Sequence, residues 1–440
     1  MRVTALAFII GILLMVVGLA VSIALHELGH LWPAKKFGVR VGQYMIGFGP
    51  TLWSTRRGET QYGFKAIPLG GYISMAGMYP PSPDAVRAEA EPGTAGSQTG
   101  RAGGGFFAMM VQDARSANDE TLQGPDDDRV FFKLPVWKRV VIMLGGPIMN
   151  LLFAIVLFTV LFSGIGLQTA MPTISALSDC VPAAGSSECA PDAAEAPAVA
   201  AGLEAGDTIV SVDGVPVATF DEVSSLVQAA PGRQLSLVVA RDGVERTVAV
   251  TPAPIEAVDA SGATTDIGFL GIRPTAEYVR QPLWMGAQTA VENIGAVANV
   301  IWQLPVKVYD TAVDLFTGQE RDPNGPLSVV GAGILSGQVA SVDAPILNRV
   351  AGFLGLLASL NIALFAFNLV PLLPLDGGHV VVALWEGIKR TWAQVFRRPP
   401  PKPVDASKLV PLTFVVVIAL IAMGGVLILA DLFNPVSILN

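Results

Sequence analysis

The sequence predicts a polytopic α-helical membrane protein with about four transmembrane helices, a membrane-associated β-hairpin loop and a globular extracytoplasmic domain. The 440-residue chain is 52% hydrophobic and only 15% charged, with a mean hydropathy of +0.54. That is too apolar for an ordinary soluble domain. Four apolar runs are each long enough to cross a bilayer at 1.5 Å per residue. All three histidines fall in two motifs inside or beside those runs, where imidazoles and carboxylates are costly to place. The net charge of −8 argues against a nucleic-acid partner, which wants a basic face.

The first run, Val3 to Leu25, continues straight into His26 with no small-residue cleavage site. It therefore reads as a retained span rather than a secretory signal. Gly42 to Met78 follows as short β segments broken at Phe48-Gly49-Pro50 and Pro68-Leu69-Gly70-Gly71-Tyr72. Residues 1–79 thus hold the first span and a β-loop at the membrane interface, where such backbone needs protein cover or a wet cavity. From 80 to 132 the composition shifts to Gly, Ala, Ser, Pro and Asp, which predicts a disordered cytoplasmic insert.

Residues 133–168 carry the second span, from Val140 to about Leu167. The segment 169–275 is globular in pattern. A strand is expected at Thr208 to Val212, a helix at Phe220 to Ala229, and a hairpin of Leu235 to Arg241 with Val244 to Thr251 about Asp242-Gly243. Its run Ala201-Gly202-Leu203-Glu204-Ala205-Gly206-Asp207, continuing to Asp213-Gly214, resembles a PDZ domain of the bacterial type. That resemblance implies capture of extended peptides by strand addition; a steric plug that binds nothing is the other reading. Residues 276–349 look helical, broken and amphipathic, lying on the outer face. The third span, 350–388, is broken at Pro371 and Pro374. A basic loop, 389–408, leads to the fourth span and tail, 409–440.

Orientation follows the basic residues at the span ends. Lys35, Lys36, Arg40, Arg56, Arg57, Lys133, Lys138 and Arg139 share a side with Lys389, Arg390, Arg397, Arg398, Lys402 and Lys408. That side is read as cytoplasmic, which puts 167–349 and both termini outside. Cys180 and Cys189 then lie in an oxidising compartment, either paired or as two free thiols.

The chemistry concentrates in His26-Glu27-Leu28-Gly29-His30. At i and i+4 on a helix, two imidazoles can aim at one ion, and Glu27 can take a proton from a water that the ion polarises. Zinc hydrolases usually use a third protein ligand, and Asp376, Glu386 and Asp431 are the acids available in the remaining spans. His26 lies nine residues before Lys35 and Asp376 thirteen before Lys389, so both sit comparably deep from the basic flank. Asp431 is at the opposite end of its span. Glu386 lies at the basic boundary, where an acid needs little explanation. Asp376 is therefore the expected third ligand. Asn368, ahead of the broken turn, is expected to position substrate by donating to a peptide carbonyl or oxyanion. His379 reads as a partner to a metal ligand or as a helix-end residue. Asn150 and Asn361 read as interhelical glue.

These motifs resemble the site-2 protease family, in particular its bacterial branch typified by the regulator-of-sigma-E protease. His26-Glu27-Leu28-Gly29-His30 matches the family's zinc motif. Asn368-Leu369-Val370-Pro371-Leu372-Leu373-Pro374-Leu375-Asp376-Gly377 resembles its second motif, whose aspartate is the third zinc ligand. Gly145-Gly146-Pro147-Ile148-Met149-Asn150 resembles an element of its second span, and the 48–72 region its membrane-associated β-loop. The resemblance spans nearly the whole chain in the family's order. Departures are the 80–132 insert, a single PDZ-like domain where some members have two, and the insertion holding Cys180 and Cys189.

The resemblance implies a Zn2+-dependent intramembrane endopeptidase of the inner membrane, acting in regulated intramembrane proteolysis. Its implied partners are single-pass membrane proteins such as anti-sigma factors, first shortened by an upstream site-1-type protease, with remnant signal peptides as a further class. The rival readings are a proteolytically inactive scaffold with a peptide-binding PDZ domain, and a metal transporter using the same residues as a transit site.

Overall fold

A computed structural model describes residues 2–78, 127–182, 189–190, 193–258, 264–323, 325–399, 404 and 409–436. Most of the 80–132 insert and part of the basic loop lie outside the described residues. The chain forms two compact units, residues 162–282 and the remainder.

The larger unit is a helix bundle with a β-hairpin. Helix α1 (Arg2–Lys36) ends on Lys35 and Lys36, whose charges complement the carbonyl end of the helix. Strands β1 (Val41–Arg57) and β2 (Thr60–Met75) then pair antiparallel along their whole length. The glycine and proline positions that read as breaks instead lie within these two long strands. Gly47, Gly49 and Gly70 adopt positive φ there, and the register shifts repeatedly along the pair. The glycines bend and bulge the hairpin without ending it.

Helix α2 (Val136–Thr159) continues as a π-helical segment, Val160–Ile165. It packs against α1 through Gly29 and Gly145, where an added Cβ on either would strike the other's backbone. Small residues are how helices in lipid approach closely. After the smaller unit come α5 (Met285–Thr317), α6 (Val329–Ser341), α7 (Ile346–Asn368), α8 (Asp376–Val395) and α9 (Val410–Phe433). Four stretches are long and apolar enough to cross a membrane: Ala5–Lys36, Val136–Ile165, Ile346–Asn368 and Val410–Phe433. The third apolar helix stops at Asn368 and a second helix restarts at Asp376. The prolines between them explain the interruption, since Pro371 and Pro374 lack the donors that a continuous helix needs. Helix α2 is central to the unit, touching α1, α5, α7 and α8.

The smaller unit begins with β3 (Leu167–Leu177) and a short helix α3 (Pro197–Ala200). Strands β4 (Thr208–Val212) and β5 (Val215–Pro216) and helix α4 (Phe220–Gln228) follow. The remaining strands are β6 (Leu235–Arg241), β7 (Val244–Val250), β8 (Ala253–Val258), β9 (Thr264–Phe269) and β10 (Ile272–Val279). The main sheet has the order β10-β3-β4-β6-β7, with β5 paired to β4 and a separate β8–β9 hairpin. Asp242 and Gly243 both take positive φ, as a type I′ hairpin turn requires. Thr219 and Glu222 close a capping box on α4, which turns Val223 and Val227 into a core with Ile209, Leu237 and Val239. Cys180 and Cys189 form a disulfide.

Arg241 grips Asp207 in this unit through Nε to Oδ1 at 2.7 Å and Nη2 to Oδ2 at 2.8 Å. The Asp207 carboxylate also accepts from the backbone N–H of Glu204 at 2.9 Å. The Arg241 guanidinium holds the Asp207 carboxyl below the usual carboxylate range. As pH falls, the unfolded chain protonates this acid first, near its ordinary value of about 4. The stabilisation is therefore complete above that value and lost as pH falls through the lower folded value. Asp207→Asn is expected to cost about 2 kcal/mol at neutral pH and to flatten the acid limb of stability. Melting temperature of this unit measured from pH 7 downward checks both.

Candidate metal centre

Three side chains from helices far apart in sequence converge within the larger unit. His26 and His30 project from one face of α1, and Asp376 is the first residue of α8. Their Nε2 atoms are 3.2 Å apart, and Asp376 Oδ2 lies 3.3 Å from His26 Nε2 and 3.4 Å from His30 Nε2. Among the described residues these three form the group of ligand atoms able to hold one ion.

The triangle has the dimensions a metal requires. Tetrahedral coordination with bonds of about 2.0–2.1 Å separates ligand atoms by about 3.3–3.4 Å. Asp376 Oδ2 is buried and takes no hydrogen bond among the described residues, an expensive condition unless a cation lies against it. Gly146 of α2 borders the same space. A Cβ there would collide with His30 Nε2 and come within 2.8 Å of His26 Nε2. The donor set of two imidazoles and one carboxylate suits zinc.

Neighbouring groups fix the imidazoles. His30 Nδ1 lies 2.7 Å from the carbonyl oxygen of Ile142. It can only donate to that carbonyl, which leaves Nε2 with a lone pair facing the triangle. The side-chain amide of Asn150 lies 3.2 Å from His26 Nδ1, and Asn150 Oδ1 is otherwise buried without a partner. One of the two amide orientations sets Oδ1 as acceptor for Nδ1–H. That leaves His26 Nε2 equally free. Glu27 is buried on α1, and Gly71 of β2 lies so close that a Cβ would come 2.9 Å from Glu27 Cγ.

Asp376 reaches the site because its helix begins in a tight fold. Gly377 and Gly378 sit where a Cβ would strike the backbone of Leu369 to Leu373. The pair lets α8 start directly beneath the end of α7.

The other acids weighed as ligands are engaged elsewhere. Asp431 forms a buried ion pair with Arg321 at 2.5 Å and accepts from the Ser328 and Gly331 amides. Glu386 is 1% exposed and held by Arg139 and Arg390, so it is engaged within the protein and not facing solvent. Asn368 closes α7 and donates to the Leu364 carbonyl of its own helix at 2.9 Å. His379 lies on the first turn of α8, outside the three converging ligand atoms. Asn361 donates to Ser22 Oγ at 2.9 Å, joining α7 to α1.

Asn150 does link α2 to α1, as the reading of interhelical glue expects, and its partner there is the imidazole of His26. The signal was its place as the one polar side chain in the apolar run following Gly145-Gly146-Pro147. Gly146 stands in the sequence only as part of the Gly145-to-Asn150 element, and its part is to leave space.

Sequence comparisons agree with the chemistry of this donor set. The pattern of peptidase family M50 matches residues 14–398. The chain is 34% identical to zinc metalloprotease Rip1 of Mycobacterium tuberculosis, over 98% of this chain and 99% of that protein. It is 35% identical to zinc metalloprotease Rip1 of Mycolicibacterium smegmatis over the same shares. With metalloprotease MmpA of Caulobacter vibrioides the identity is 28%, over 87% of this chain and 88% of that protein.

Gly146→Ala is expected to fill the space between the ligand atoms and lower metal affinity by roughly tenfold or more. Metal content of the purified protein after dialysis against a chelator, compared with the unsubstituted protein, checks this.

Proposed function

The chain belongs to peptidase family M50, and from that membership we propose that His26, His30 and Asp376 hold its zinc ion and that Glu27 is its general base. It is a zinc metalloprotease and a multi-pass membrane protein acting on membrane-bound substrates. The observation that carries the residue assignment is the triangle of two imidazole nitrogens and one carboxylate oxygen, with edges of 3.2–3.4 Å.

Bound zinc would supply Lewis acidity, acidifying a water and polarising the scissile carbonyl. Glu27 takes the proton of the attacking water on its carboxylate and returns it to the amide nitrogen as the peptide bond breaks. Ile142 and Asn150 hold the imidazoles so that both Nε2 atoms face inward. Asn368 donates its side-chain N–H to the substrate carbonyl, exchanging its bond to Leu364 for one to substrate.

The substrates are single-pass membrane proteins, of which anti-sigma factors are the type, with remnant signal peptides as a further class. Cleavage needs an extended peptide, because a helix hides its carbonyls in its own hydrogen bonds. The interrupted backbone between α7 and α8 supports this reading. It leaves Leu369, Pro371, Leu372 and Pro374 exposed beside the first residue of α8, where freed backbone groups can partner an unwound segment. The PDZ-like unit stands on the extracytoplasmic side of the inner membrane and excludes substrates with bulky ectodomains. An upstream site-1-type protease therefore acts first. The basic residues that flank the spans support that orientation.

Glu27→Gln is expected to keep zinc at the level of the unsubstituted protein while cleavage of a membrane-embedded reporter falls by about 10²–10⁴-fold. Undiminished turnover would refute the base assignment. Asn368→Ala is expected to lower kcat/KM by about 10²-fold with metal content unchanged, measured on the same reporter.

A further inference from the structure

Glu386 and Arg139 are 1% and 5% exposed, and neither has a part in the chemistry above. Arg139 Nη1 meets Glu386 Oε2 at 3.1 Å and Arg139 Nη2 meets Glu386 Oε1 at 3.0 Å. Arg390, one turn further along α8, meets the same Oε1 at 2.5 Å. Burying such a pair costs desolvation that its attraction only roughly repays, so net stability is weak grounds for it. Only the first of these contacts is a hydrogen bond, and the others are close charge contacts; a buried charge still fixes position, because sliding off its partner leaves it unpaired.

The pair's place gives that rigidity a use. The buried residues of α8 are Gly377, Gly378, Ala383, Glu386 and Ala393. Apart from Glu386, all are glycine or alanine. Several of its large side chains, among them Val381, Leu384, Trp385, Ile388 and Trp392, are exposed. Val380 packs against the cluster that holds Ile142 and Met143 of α2, but the fully buried apolar positions of α8 are only glycine and alanine, which give little to stop the helix sliding or turning. Among the buried residues of α8, Glu386 alone has a long side chain, and its partner is on α2. From Asp376 to Glu386 is about 15 Å along α8, and from Arg139 to Gly146 and Asn150 about 10–16 Å along α2. The ion pair thus joins α8 to α2 at one level, and at the other α8 brings its carboxylate to the ligands of α1 beside Gly146 and Asn150 of α2.

We propose that the buried Arg139–Glu386 ion pair sets the register of α8 on α2 and so brings the Asp376 carboxylate to His26 and His30. It is a positioning pair, and Arg390 holds Glu386 from its other side. This inference rests on the assignment of His26, His30 and Asp376 as metal ligands.

The full-length protein in detergent, stripped of metal and titrated with cobalt(II), provides the test. Arg139→Lys keeps the charge and removes the guanidinium with its Nη1–Oε2 hydrogen bond. Its expected result is a changed visible cobalt spectrum and roughly 10–100-fold weaker metal binding, with helix content unchanged. Arg321→Lys alters the other deeply buried arginine–carboxylate pair, with Asp431. It is expected to lower the melting temperature while leaving the cobalt spectrum as in the unsubstituted protein. An unaltered spectrum and affinity in Arg139→Lys would overturn the proposal, as would an equal change in Arg321→Lys. If Arg139→Lys fails to fold, Glu386→Gln is titrated the same way with the same criteria. Failure of the unsubstituted protein to bind one cobalt per chain would instead overturn the ligand assignment itself.

Discussion

Two imidazole nitrogens and a carboxylate oxygen do not rest within 3.4 Å of one another in an apolar bundle without a reason. Their lone pairs repel, and burial removes the water that would otherwise screen them. The arrangement is sustainable when a cation lies among them, and the surrounding structure is consistent with that occupant. The Ile142 carbonyl takes the proton from the far side of His30, Asn150 stands at the far side of His26, and Gly146 leaves the central space clear. Helix α2 supplies all three of these groups. The close approach of Gly29 and Gly145 is what puts α2 near enough to α1 to do so.

Bringing the carboxylate to that space requires ending one helix and starting another. Pro371 and Pro374 end α7's path, and Gly377 and Gly378 let α8 begin almost in contact with it. This construction sets Asp376 at a helix start, where its charge also meets the positive end of the helix dipole. It has a cost. A helix that must begin so close to its neighbour buries mostly glycine and alanine, with Val380 as its apolar contact to the Ile142 and Met143 cluster, and such a face packs with little specificity.

Some of this was legible in the residues and some was not. The meeting of His26 with His30 follows from spacing alone, because i and i+4 share a helix face whatever surrounds them. Asp376 could be singled out by depth, since distance from a basic flank measures height in a bilayer. The same argument set Asp431 at the far end, and there it pairs with Arg321. Depth says nothing about rotation, so Glu386 read as a boundary acid although it faces inward onto Arg139. In the β-hairpin, glycine and proline read as breaks because their local preferences suit turns. Pairing over the length of both strands overrides those preferences, and the same residues become bulges. The role of Gly146 was illegible for a different reason: its motif is visible, but a sequence displays side chains, and what matters there is the lack of one.

The two deeply buried ion pairs belong to one physical problem. In water, a helix slipped by a turn exposes apolar side chains and is penalised for it. In lipid the slipped helix exposes them to hydrocarbon, so apolar packing discriminates poorly between registers. A buried charge discriminates sharply, because sliding away from its partner leaves it unpaired in a medium that does not solvate it. Arg321 and Asp431 are 110 residues apart in sequence and Arg139 and Glu386 are 247 apart, so each pair joins elements that the chain itself does not hold together. A protein with only 15% charged residues uses a few of them where apolar contacts cannot specify position. A metal centre assembled from α1 and α8 is the part of such a bundle least tolerant of a slipped register.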